Sequence, residues 1–571
     1  MLSIGLFDVD KKLKDFNQEE LDLLLYTKPI PITKKHGAGI YSKHYEGIVS
    51  RIKRRITEKA EDEPVESEKN IYKQYLLYSS CTNCKGTRLN SRALSVKLIE
   101  KSIGELCQME LTDVAAFLRK VFDKKAVPVI RKAQNLLEHL MDIGVGYLSL
   151  DRNISTLSGG ESQRVKLARQ LDCNLVDLMY IMDEPSIGLH PRDINRLIEL
   201  MKKLRDKGNS VFIVEHDPEI IKAGEWIIDI GPKAGQHGGE VVYSGELKGI
   251  KNTLSITGRY LFRSNTNQYN RKTPVGEISV KNANIHNLKN VTVNIPKGVL
   301  TCVTGVAGSG KSSLINHWFI KHYPEAVIID QSPLGRSSRA NPATYTGVFD
   351  LVRKEFVMTT GEEASIFSFN SKGACKNCNG QGFISLELHF LDAVTTVCDE
   401  CNGTRYNDEV LQYRFRNKNI AEVLDMTLEQ VLNFFSNLQI EKKLRMLSDV
   451  GLGYLKLGQS LSTLSGGEAQ RLKLAAELHK EGNIYVMDEP TTGLHISDID
   501  RLIEIIKSLI NKDNTVIVIE HNLDIIRMAD WIIDMGPEGG KLGGEVIFQG
   551  TPENLIHEKR SHTGKYLKLI L

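Results

Sequence analysis

A glycine-rich segment of the chain has the residue types needed to bind the phosphates of a nucleotide. Residues 305–312 read GVAGSGKS, which fits the pattern GxxxxGK[ST] in full. In such a loop the glycines let backbone N–H groups converge on phosphate oxygens at a helix N-terminus. Lys311 can reach the β- and γ-phosphates, and the hydroxyl of Ser312 can ligate Mg²⁺. We therefore predict that ATP and Mg²⁺ bind at Gly305, Gly308, Ser309, Gly310, Lys311, Ser312 and Ser313.

Carboxylates and a histidine end two other apolar runs. Asp488 and Glu489 follow the run IYVM, and His521 follows TVIVIE. Asp488 could hold Mg²⁺ through water while Glu489 polarises the attacking water, and His521 could hydrogen-bond the γ-phosphate. A solvated acidic turn and a structural histidine are the alternative interpretations. We predict Glu489 and His521 as catalytic residues, together with Gln331, which ends the run AVIID and could orient the metal and the water.

Six of the nine cysteines form CxxC pairs, which indicate metal binding before disulfides in a reducing compartment. Two of these pairs are separated by 19 residues, the spacing of a zinc ribbon, and supply the four ligands Cys375, Cys378, Cys398 and Cys401. The intervening segment 382–397 can form a hairpin. We predict a structural Zn²⁺ site in a module of residues 375–401. Cys81 and Cys84 form half a site without a partner pair upstream, and we expect them to bind no metal.

These motifs belong to a sequence that repeats itself. STLSGGESQRVKLA around Ser158 recurs as STLSGGEAQRLKLA around Ser465, an offset of 307 residues. The segments MDEP and EH recur in the same order at an offset of 305, and CxxCxGTRxN recurs at 317. Ordered matches at a nearly constant offset indicate a tandem duplication. The counterpart of Lys311 in copy one would lie ahead of Met1, so we predict a phosphate loop in copy two alone.

The repeat also predicts the domain organisation. Strands that alternate with helices favour an α/β fold with a largely parallel sheet. We predict four segments, of which the first is a partial head of copy one or a linker, with a charged stretch at 58–70. The second is the first half, which carries a signature, carboxylates and a histidine; the third is a connector; and the fourth is a complete copy. These segments are 1–80, 81–247, 248–274 and 275–571.

Composition narrows the class of protein. A chain of 571 residues with 41% hydrophobic and 25% charged residues has an ordinary globular balance and room for three or four domains. The net charge of +3 neither supports nor excludes a polyanionic partner. No run of about 18 apolar residues predicts a membrane span. Asp8 and Asp10 interrupt the short apolar start, which argues against a signal peptide, so we expect a cytoplasmic protein.

The order phosphate loop, Gln331, LSGGE, MDEP and EH resembles an ATP-binding-cassette (ABC) ATPase, present twice. Longer segments are more specific. DQSPLGRSSRANPATYTGVFD, FSFNSKGACKNCNGQG, CDECNGTRYN and the twin LSGGE segments resemble the UvrA family of bacterial nucleotide excision repair over roughly residues 70–571. The resemblance implies tandem ABC-type ATPase domains with helical signature subdomains and an inserted zinc module.

The resemblance also implies ATP hydrolysis in a site that is shared between the copies. The signature of copy one would complete the site of copy two through Ser158, Gly159, Gly160 and Glu161. The mirror site has Asp183, Glu184 and His216 but no phosphate loop, so we expect it not to hold ATP by itself.

Partners follow from the same resemblance. It implies a homodimer that binds double-stranded DNA and recognises DNA damage, with the zinc module presenting a DNA-contacting hairpin. The basic segments 51–55, 163–169 and 335–339 would be solvated faces without the resemblance, and Arg336 and Arg339 are plausible DNA contacts. An excision-repair partner subunit is also implied, but the insertion that binds it in the family is absent ahead of Cys81, which argues against this partner.

Three alternatives stay open on the sequence. One is a UvrA paralogue that binds DNA or an intercalating drug and confers self-resistance. Another is a truncated, non-functional remnant. The third is a transporter ATPase, against which stands the separation of 134 residues between Gln331 and Ser465, with the zinc cysteines inside it.

Overall fold

The computed structural model describes residues 11–36, 39–57, 80–157, 159–171, 175–232, 235, 238–263, 269–330, 332, 334, 339–388, 391–478 and 483–571. The chain divides into two compact units, Met1–Gly86 and Thr87–Leu571.

The first unit is a small helix–hairpin–helix arrangement. Its first helix begins at a capping box, in which Oδ1 of Asn17 accepts the N–H of Glu20 and Glu20 accepts the N–H of Asn17. The two strands pair antiparallel and the second helix carries the basic run 51–55. The charged stretch 58–70 lies outside the described residues. The elements are α1 (Gln18–Tyr26), β1 (Ile30–His36), β2 (Gly39–Tyr45) and α2 (Ile48–Thr57).

Copy one begins with short helices and a small hairpin and continues as strands that alternate with helices. Its elements are α3 (Ser91–Ser95), β3 (Lys97–Leu98), β4 (Lys101–Ser102), α4 (Ile103–Gln108), α5 (Leu111–Leu118), α6 (Val127–Asp142), α7 (Gly159–Leu171), β5 (Met179–Asp183), α8 (Pro191–Asp206), β6 (Ser210–Val214), α9 (Pro218–Ala223), β7 (Ile227–Gly231), β8 (Glu240–Gly245), α10 (Leu247–Ile250) and α11 (Ile256–Leu261).

The strands of copy one form two separate pairs. β5 and β6 are parallel, and β7 and β8 are antiparallel. Within the described part of copy one, no strand joins β6 to β7. Apolar side chains are consequently exposed on both pairs, for example Ile181 at 73% and Ile230 at 66%. The core of this copy lies instead where the apolar face of α8, with Leu197, Leu200 and Leu204, packs on β5 and β6.

Copy two is the larger half. Its elements are β9 (Glu277–Ala283), β10 (Val291–Pro296), β11 (Leu300–Gly305), a π-helical segment (Ser313–Phe319), α12 (Ile320–His322), β12 (Val327–Ile329), α13 (Pro342–Tyr345), α14 (Val348–Thr360), β13 (Phe383–Leu388), β14 (Leu391–Val397), α15 (Ile420–Asp425), α16 (Leu428–Phe434), α17 (Leu438–Asp449), α18 (Gly466–Glu477), β15 (Ile484–Asp488), α19 (Ile496–Asn511), β16 (Thr515–Ile519), α20 (Leu523–Met528), β17 (Trp531–Gly536), β18 (Glu545–Gly550), α21 (Pro552–Leu555) and α22 (His562–Leu567).

A six-stranded sheet organises copy two in the order β12-β15-β16-β11-β17-β18, parallel except for the edge strand β18. β11 lies between β16 and β17, where Cys302 pairs with both Val518 and Ile532, and all six of its residues are buried. Strands covered on both faces need such continuous apolar runs. Parallel strands end at one edge of a sheet, so β11, β15 and β16 deliver their following residues to the same place.

A helical subdomain with an inserted hairpin completes copy two. Large aromatic side chains are fully buried in its core, among them Phe356, Phe367, Phe369 and Tyr406. β13 and β14 pair antiparallel between the two CxxC pairs, as predicted for the segment 382–397. The predicted α/β fold, with a signature helical subdomain and an inserted cysteine module, is confirmed. Among the helices of the described residues, none has the length and hydropathy to cross a membrane.

Candidate functional site

The phosphate loop connects β11 to the π-helical segment. Gly305 has φ 129°, and a Cβ there would lie 2.1 Å from the backbone oxygen of Met535, so only glycine fits this turn. The ammonium of Lys311 is buried and donates to the backbone oxygens of Gly305 at 2.9 Å and Val306 at 3.0 Å. Burial lowers the pKa of Lys311, while nearby carboxylates act in the opposite direction. A buried cation with only neutral acceptors is poised for an anionic ligand.

Asp488 and Glu489 extend from the end of β15, beside this loop. Oδ2 of Asp488 accepts a hydrogen bond from the amide of Asn316 at 2.7 Å, and burial raises the pKa of Asp488. Glu489 has φ 45°, a left-handed backbone that is uncommon for a residue with a side chain. Its N–H donates to the backbone oxygen of Ile519 at 2.9 Å. Burial and the neighbouring Asp488 raise the pKa of Glu489 to about 7, which suits a general base.

His521 follows β16 and lies beside Glu489. Its Nε2 is 3.9 Å from Oε1 of Glu489, and the ring packs edge-on against His190 of copy one with centroids 5.8 Å apart. Burial and the charge of Lys311 lower the pKa of His521 well below its ordinary value. The imidazole is therefore neutral at pH 7, with one N–H to donate and one nitrogen to accept.

Copy one contributes to the same site from the opposite side. An added Cβ at Gly188 would lie 3.3 Å from Oε2 of Glu489, so the turn after β5 reaches the carboxylate. The ring of Tyr147 lies on the phosphate loop, where a Cβ at Gly308 would come within 2.8 Å of it. The hydroxyl of Tyr147 donates to Oε1 of the signature residue Glu161 at 2.5 Å. The structure thus brings the signature of copy one to the phosphate loop of copy two.

The signature residues that the sequence predicts are placed as follows. Gly159 and Gly160 form the first turn of α7, and Glu161 is buried in it. Ser158 and Gln331 lie outside the described residues. The backbone next to Gln331 is held from α18, where Lys473 donates to the backbone oxygen of Asp330 at 3.0 Å.

Polar contacts join the copies around the site. Arg192 of α8 forms an ion pair with Glu538 at 2.8 Å. His190 and the hydroxyl of Thr563 are 3.2 Å apart, and that hydroxyl donates at 3.1 Å to the buried Asp534, which lies beside the phosphate loop. These contacts come from segments more than 340 residues apart in the chain. The shared site is therefore part of an extensive interface between the copies.

The mirror arrangement has the same groups, but its histidine and aspartate are more exposed to solvent. Nε2 of His216 is 3.6 Å from Oε1 of Glu184, and Glu184 has φ 43°. Gly493 of copy two approaches Glu184 as Gly188 approaches Glu489. Asp183 is exposed at the end of β5, whereas Asp488 is half-buried. Across the described residues, no phosphate loop faces Glu184.

Sequence reasoning missed several residues of the shared site. Tyr147, Asn316, Glu520 and Asp534 all contact predicted site residues or the loops that hold them. A signal existed for Tyr147, because GVGY recurs as GLGY with Tyr454, whose hydroxyl likewise donates to the signature residue Glu468. Glu520 and Asp534 also stand in recurring segments, EH and WIID, whereas Asn316 carries no local pattern that points to the site.

The predicted metal centre is a compact cluster of four buried thiols. Their sulfur atoms lie within 4.8 Å of one another, with Cys375 to Cys398 at 4.0 Å and Cys378 to Cys401 at 3.6 Å. Tetrahedral Zn²⁺ with bonds of about 2.3 Å requires sulfur atoms about 3.8 Å apart, so the cluster fits this ion. The N–H of Gly382 donates to the sulfur of Cys378 at 3.2 Å, as expected for a thiolate ligand. Of the described residues, these four alone form a group whose ligand atoms could hold a metal ion.

Comparison with known proteins identifies relatives of this chain. Residues 288–492 match the family model described as ABC transporter. The chain is 43% identical to the UvrABC system protein A of Clostridium acetobutylicum, over 99% of the chain and 64% of that protein. It is 46% identical to the protein of the same name from Streptomyces avermitilis, over 93% of the chain and 57% of that protein. The chain thus spans less than two thirds of the length of these curated relatives.

A solved structure is similar over a larger share of its length. The crystal structure of UvrA2 from Deinococcus radiodurans matches with a TM-score of 0.87 and 37% identity, and the match covers 99% of this chain and 76% of that one. Sequence, fold and shared site therefore agree on one assignment. The chain belongs to the UvrA family of ABC-type ATPases.

Proposed function

We propose that the chain is a DNA-binding ATPase that recognises DNA damage in nucleotide excision repair, with one complete ATP site. The observation that carries the proposal is the shared site, in which the signature residue Glu161 of copy one reaches the phosphate loop of copy two through Tyr147. The names of the relatives, UvrABC system protein A and UvrA2, support the role in repair.

Each residue of the shared site has a separate role in hydrolysis. Lys311 and the backbone of the phosphate loop bind the β- and γ-phosphates, which replace the carbonyl acceptors that Lys311 has now. The oxygen donors Ser312 and Asp488 would hold Mg²⁺, an ion that prefers oxygen ligands and stabilises charge on the phosphates. Glu489, with its raised pKa, accepts a proton from the attacking water, and neutral His521 donates to the γ-phosphate. The signature turn at Gly159 and Gly160 offers N–H groups from the opposite side.

Replacement of Lys311 tests the ATP site. K311A removes the buried cation of the phosphate loop, so we expect nucleotide binding and turnover to be lost. Binding is measured with a fluorescent ATP analogue and turnover by phosphate release. K289A is the matched control, because Lys289 pairs with Glu545 at an exposed position. Normal turnover in K311A would contradict the proposed site.

The DNA-binding part of the proposal rests on the family and on the placement of charge. The hairpin segment 383–397 has no Lys or Arg, and its charged or titratable residues are Glu387, His389 and Asp392. Phosphate affinity must therefore come from basic residues elsewhere. Arg339 contributes a half-buried guanidinium that donates to the backbone oxygen of Asn379 beside the cysteine cluster, and Arg336 lies outside the described residues.

We further propose that the bound metal is Zn²⁺, that the active form is a homodimer and that the protein acts in the cytoplasm on double-stranded DNA. The four-thiol cluster supports zinc through its ligand type and spacing. The family assignment supports the dimer and the DNA substrate. Size-exclusion chromatography with light scattering tests the dimer, and a monomer at micromolar concentration with ATP would contradict it.

A further inference from the structure

The carboxylate of Glu520 joins the two turns that carry Glu489 and His521. Its Oε1 accepts the N–H of Thr491 at 2.9 Å and the hydroxyl of Thr491 at 2.5 Å. Its Oε2 accepts the N–H of His521 at 2.7 Å and of Asn522 at 2.9 Å. Glu520 is only 1% exposed. One side chain thus binds the turn after β15 and the turn after β16 at the same time.

The bonds of Glu520 act on a turn that needs support. Glu489 adopts the left-handed backbone region, which a residue with a Cβ keeps only when its surroundings hold it there. Its own N–H is bonded to Ile519, and Thr491, two residues further on, is bonded twice to Glu520. Without the second anchor, the turn could relax and move the Glu489 carboxylate away from His521.

No cation accounts for the burial of Glu520. Within the described part of the chain it forms no ion pair with Lys or Arg, and its four hydrogen bonds come from backbone N–H groups and one hydroxyl. Hydrogen bonds from N–H groups are the usual way to keep a buried carboxylate charged. A purely apolar packing role would be served better by an uncharged side chain, because burying a carboxylate is costly.

The internal repeat supplies the same arrangement a second time. Glu215 accepts the N–H of Ser186 at 2.9 Å, of His216 at 2.8 Å and of Asp217 at 3.0 Å. It joins the turns of Glu184 and His216, and Glu184 is also left-handed. The arrangement is therefore a property of both copies, whereas the phosphate-loop pattern in the printed sequence lies in copy two. Glu215 is a natural control for Glu520.

We propose that Glu520 is a positioning residue, which holds the carboxylate of Glu489 and the imidazole of His521 in the arrangement required for hydrolysis. It is not one of the groups that we assign to the phosphates or to the attacking water. This inference rests on the proposed ATPase activity. It goes beyond that activity by assigning a role to a buried carboxylate that is not part of the reacting groups.

The substitution E520Q keeps the size of the side chain and changes its bonding. A glutamine places an NH₂ group where one carboxylate oxygen was, and this group faces N–H donors that it cannot accept from. Either the Thr491 turn or the His521 turn therefore loses its anchor. Displacement of a reacting group by about 1 Å costs on the order of 10²-fold in rate.

The first measurement is steady-state ATP hydrolysis by the full chain and its E520Q and E215Q variants. For E520Q we expect kcat to fall about 10- to 100-fold while the KM for ATP stays within about threefold, because the phosphate loop is untouched. For E215Q we expect a smaller fall in kcat than for E520Q, because Glu215 holds the turn whose Gly188 approaches Glu489 and not the turn that carries Glu489 itself. A kcat for E520Q close to the unchanged value, or an equal fall in both variants, would overturn the inference.

Thermal unfolding separates positioning from simple loss of structure. If the unfolded fraction of E520Q at the assay temperature accounted for the whole fall in kcat, Glu520 would be a structural residue and the inference would be wrong. A preserved KM with a folded variant supports positioning.

Hydrogen exchange tests the inference without any turnover. In E520Q, either the amide of Thr491 or the amides of His521 and Asn522 should exchange at least about tenfold faster, since one of the two turns loses its acceptor. In E215Q, the faster amides should be Ser186, or His216 and Asp217, instead. Unchanged exchange at these positions of E520Q would overturn the inference. Absence of hydrolysis in the unchanged protein would refute the proposed ATPase, and exchange would still decide whether Glu520 holds the two turns.

Discussion

At the scale of single residues, burial sets the protonation states that the proposed chemistry needs. Glu489 and His521 are both enclosed by the two copies, and burial favours the neutral form of each. It raises the pKa of the acid and lowers that of the base. A carboxyl group with a pKa of about 7 beside a neutral imidazole is suited to take a proton from water at neutral pH.

Glu489 should therefore carry most of the catalytic effect. E489Q removes the proton acceptor but keeps the size of the side chain, so we expect ATP binding to persist and turnover to fall roughly 10²–10⁴-fold. E184Q at the mirror position should lower turnover far less. Turnover and nucleotide affinity are measured for both variants. Equal loss in the two would show that the sites are equivalent and contradict a single working site.

The pKa of Glu489 also predicts a pH dependence. Because its pKa is raised to about 7, the proton-accepting form is the minor species below that pH. The value of kcat/KM for ATP should rise as the pH increases through about 7, since this ratio reports the free enzyme. The residual activity of E489Q should lack this rise. A flat profile between pH 6 and 8, on the order of one unit either side of the midpoint, would contradict the assigned base.

At the scale of elements, helix starts and a hairpin position the polar groups. α18 begins at a capping box in which Ser465 and Glu468 exchange hydrogen bonds, and Glu468 also accepts from Tyr454. The signature segment is thus an ordinary helix start, and Tyr454, which donates to Glu468, lies against Gly235 of copy one. β13 and β14, by contrast, pair beside the cysteine cluster, against which Ile384 packs.

The hairpin module should depend on its metal. Structural zinc in a four-cysteine site contributes an apparent ~10–16 kcal/mol, so C398S should unfold the module locally and release the ion. Metal analysis of the purified protein should give one zinc per chain, and C81S, at an exposed cysteine, should keep it. Two tightly bound zinc ions per chain would contradict the expectation that Cys81 and Cys84 are empty, unless these half-sites pair across a dimer.

At the scale of the whole molecule, the shared site links nucleotide binding to the contact between the copies. Arg192 forms an ion pair with Glu538, and Lys541 forms one with Asp113. Ion pairs therefore join the two copies beside the phosphate loop. A nucleotide bound between the phosphate loop and the signature would add to these contacts. We therefore expect any surface that spans both copies to respond to ATP.

DNA binding should show this response together with a strong salt dependence. The net charge is only +3, so binding requires local groups of Lys and Arg that displace counterions. The logarithm of affinity should fall with the logarithm of salt concentration with a slope of about −0.9 per phosphate neutralised. We predict weak, largely sequence-independent duplex binding that changes with ATP, measured by fluorescence anisotropy of a labelled duplex at two salt concentrations. No binding at low salt would remove the DNA role.

The sequence by itself determined which residue types stand at the spacings that the proposed chemistry requires. The phosphate loop and the cysteine pairs use closely spaced residues, and their conformation depends mainly on local backbone geometry, so spacing was enough to predict them. The alternation of apolar runs and helical segments likewise predicted the α/β fold. The duplication showed which motifs correspond, for example Glu184 to Glu489.

Only the tertiary structure decided which groups meet. Tyr147 on Gly308, Gly188 beside Glu489 and the raised pKa of Glu489 all depend on contacts between residues far apart in the chain. Burial and electrostatic interaction are set by distance in space, which a single sequence does not contain. For the same reason, the role that we propose for Glu520 became visible only once two strand ends lay side by side.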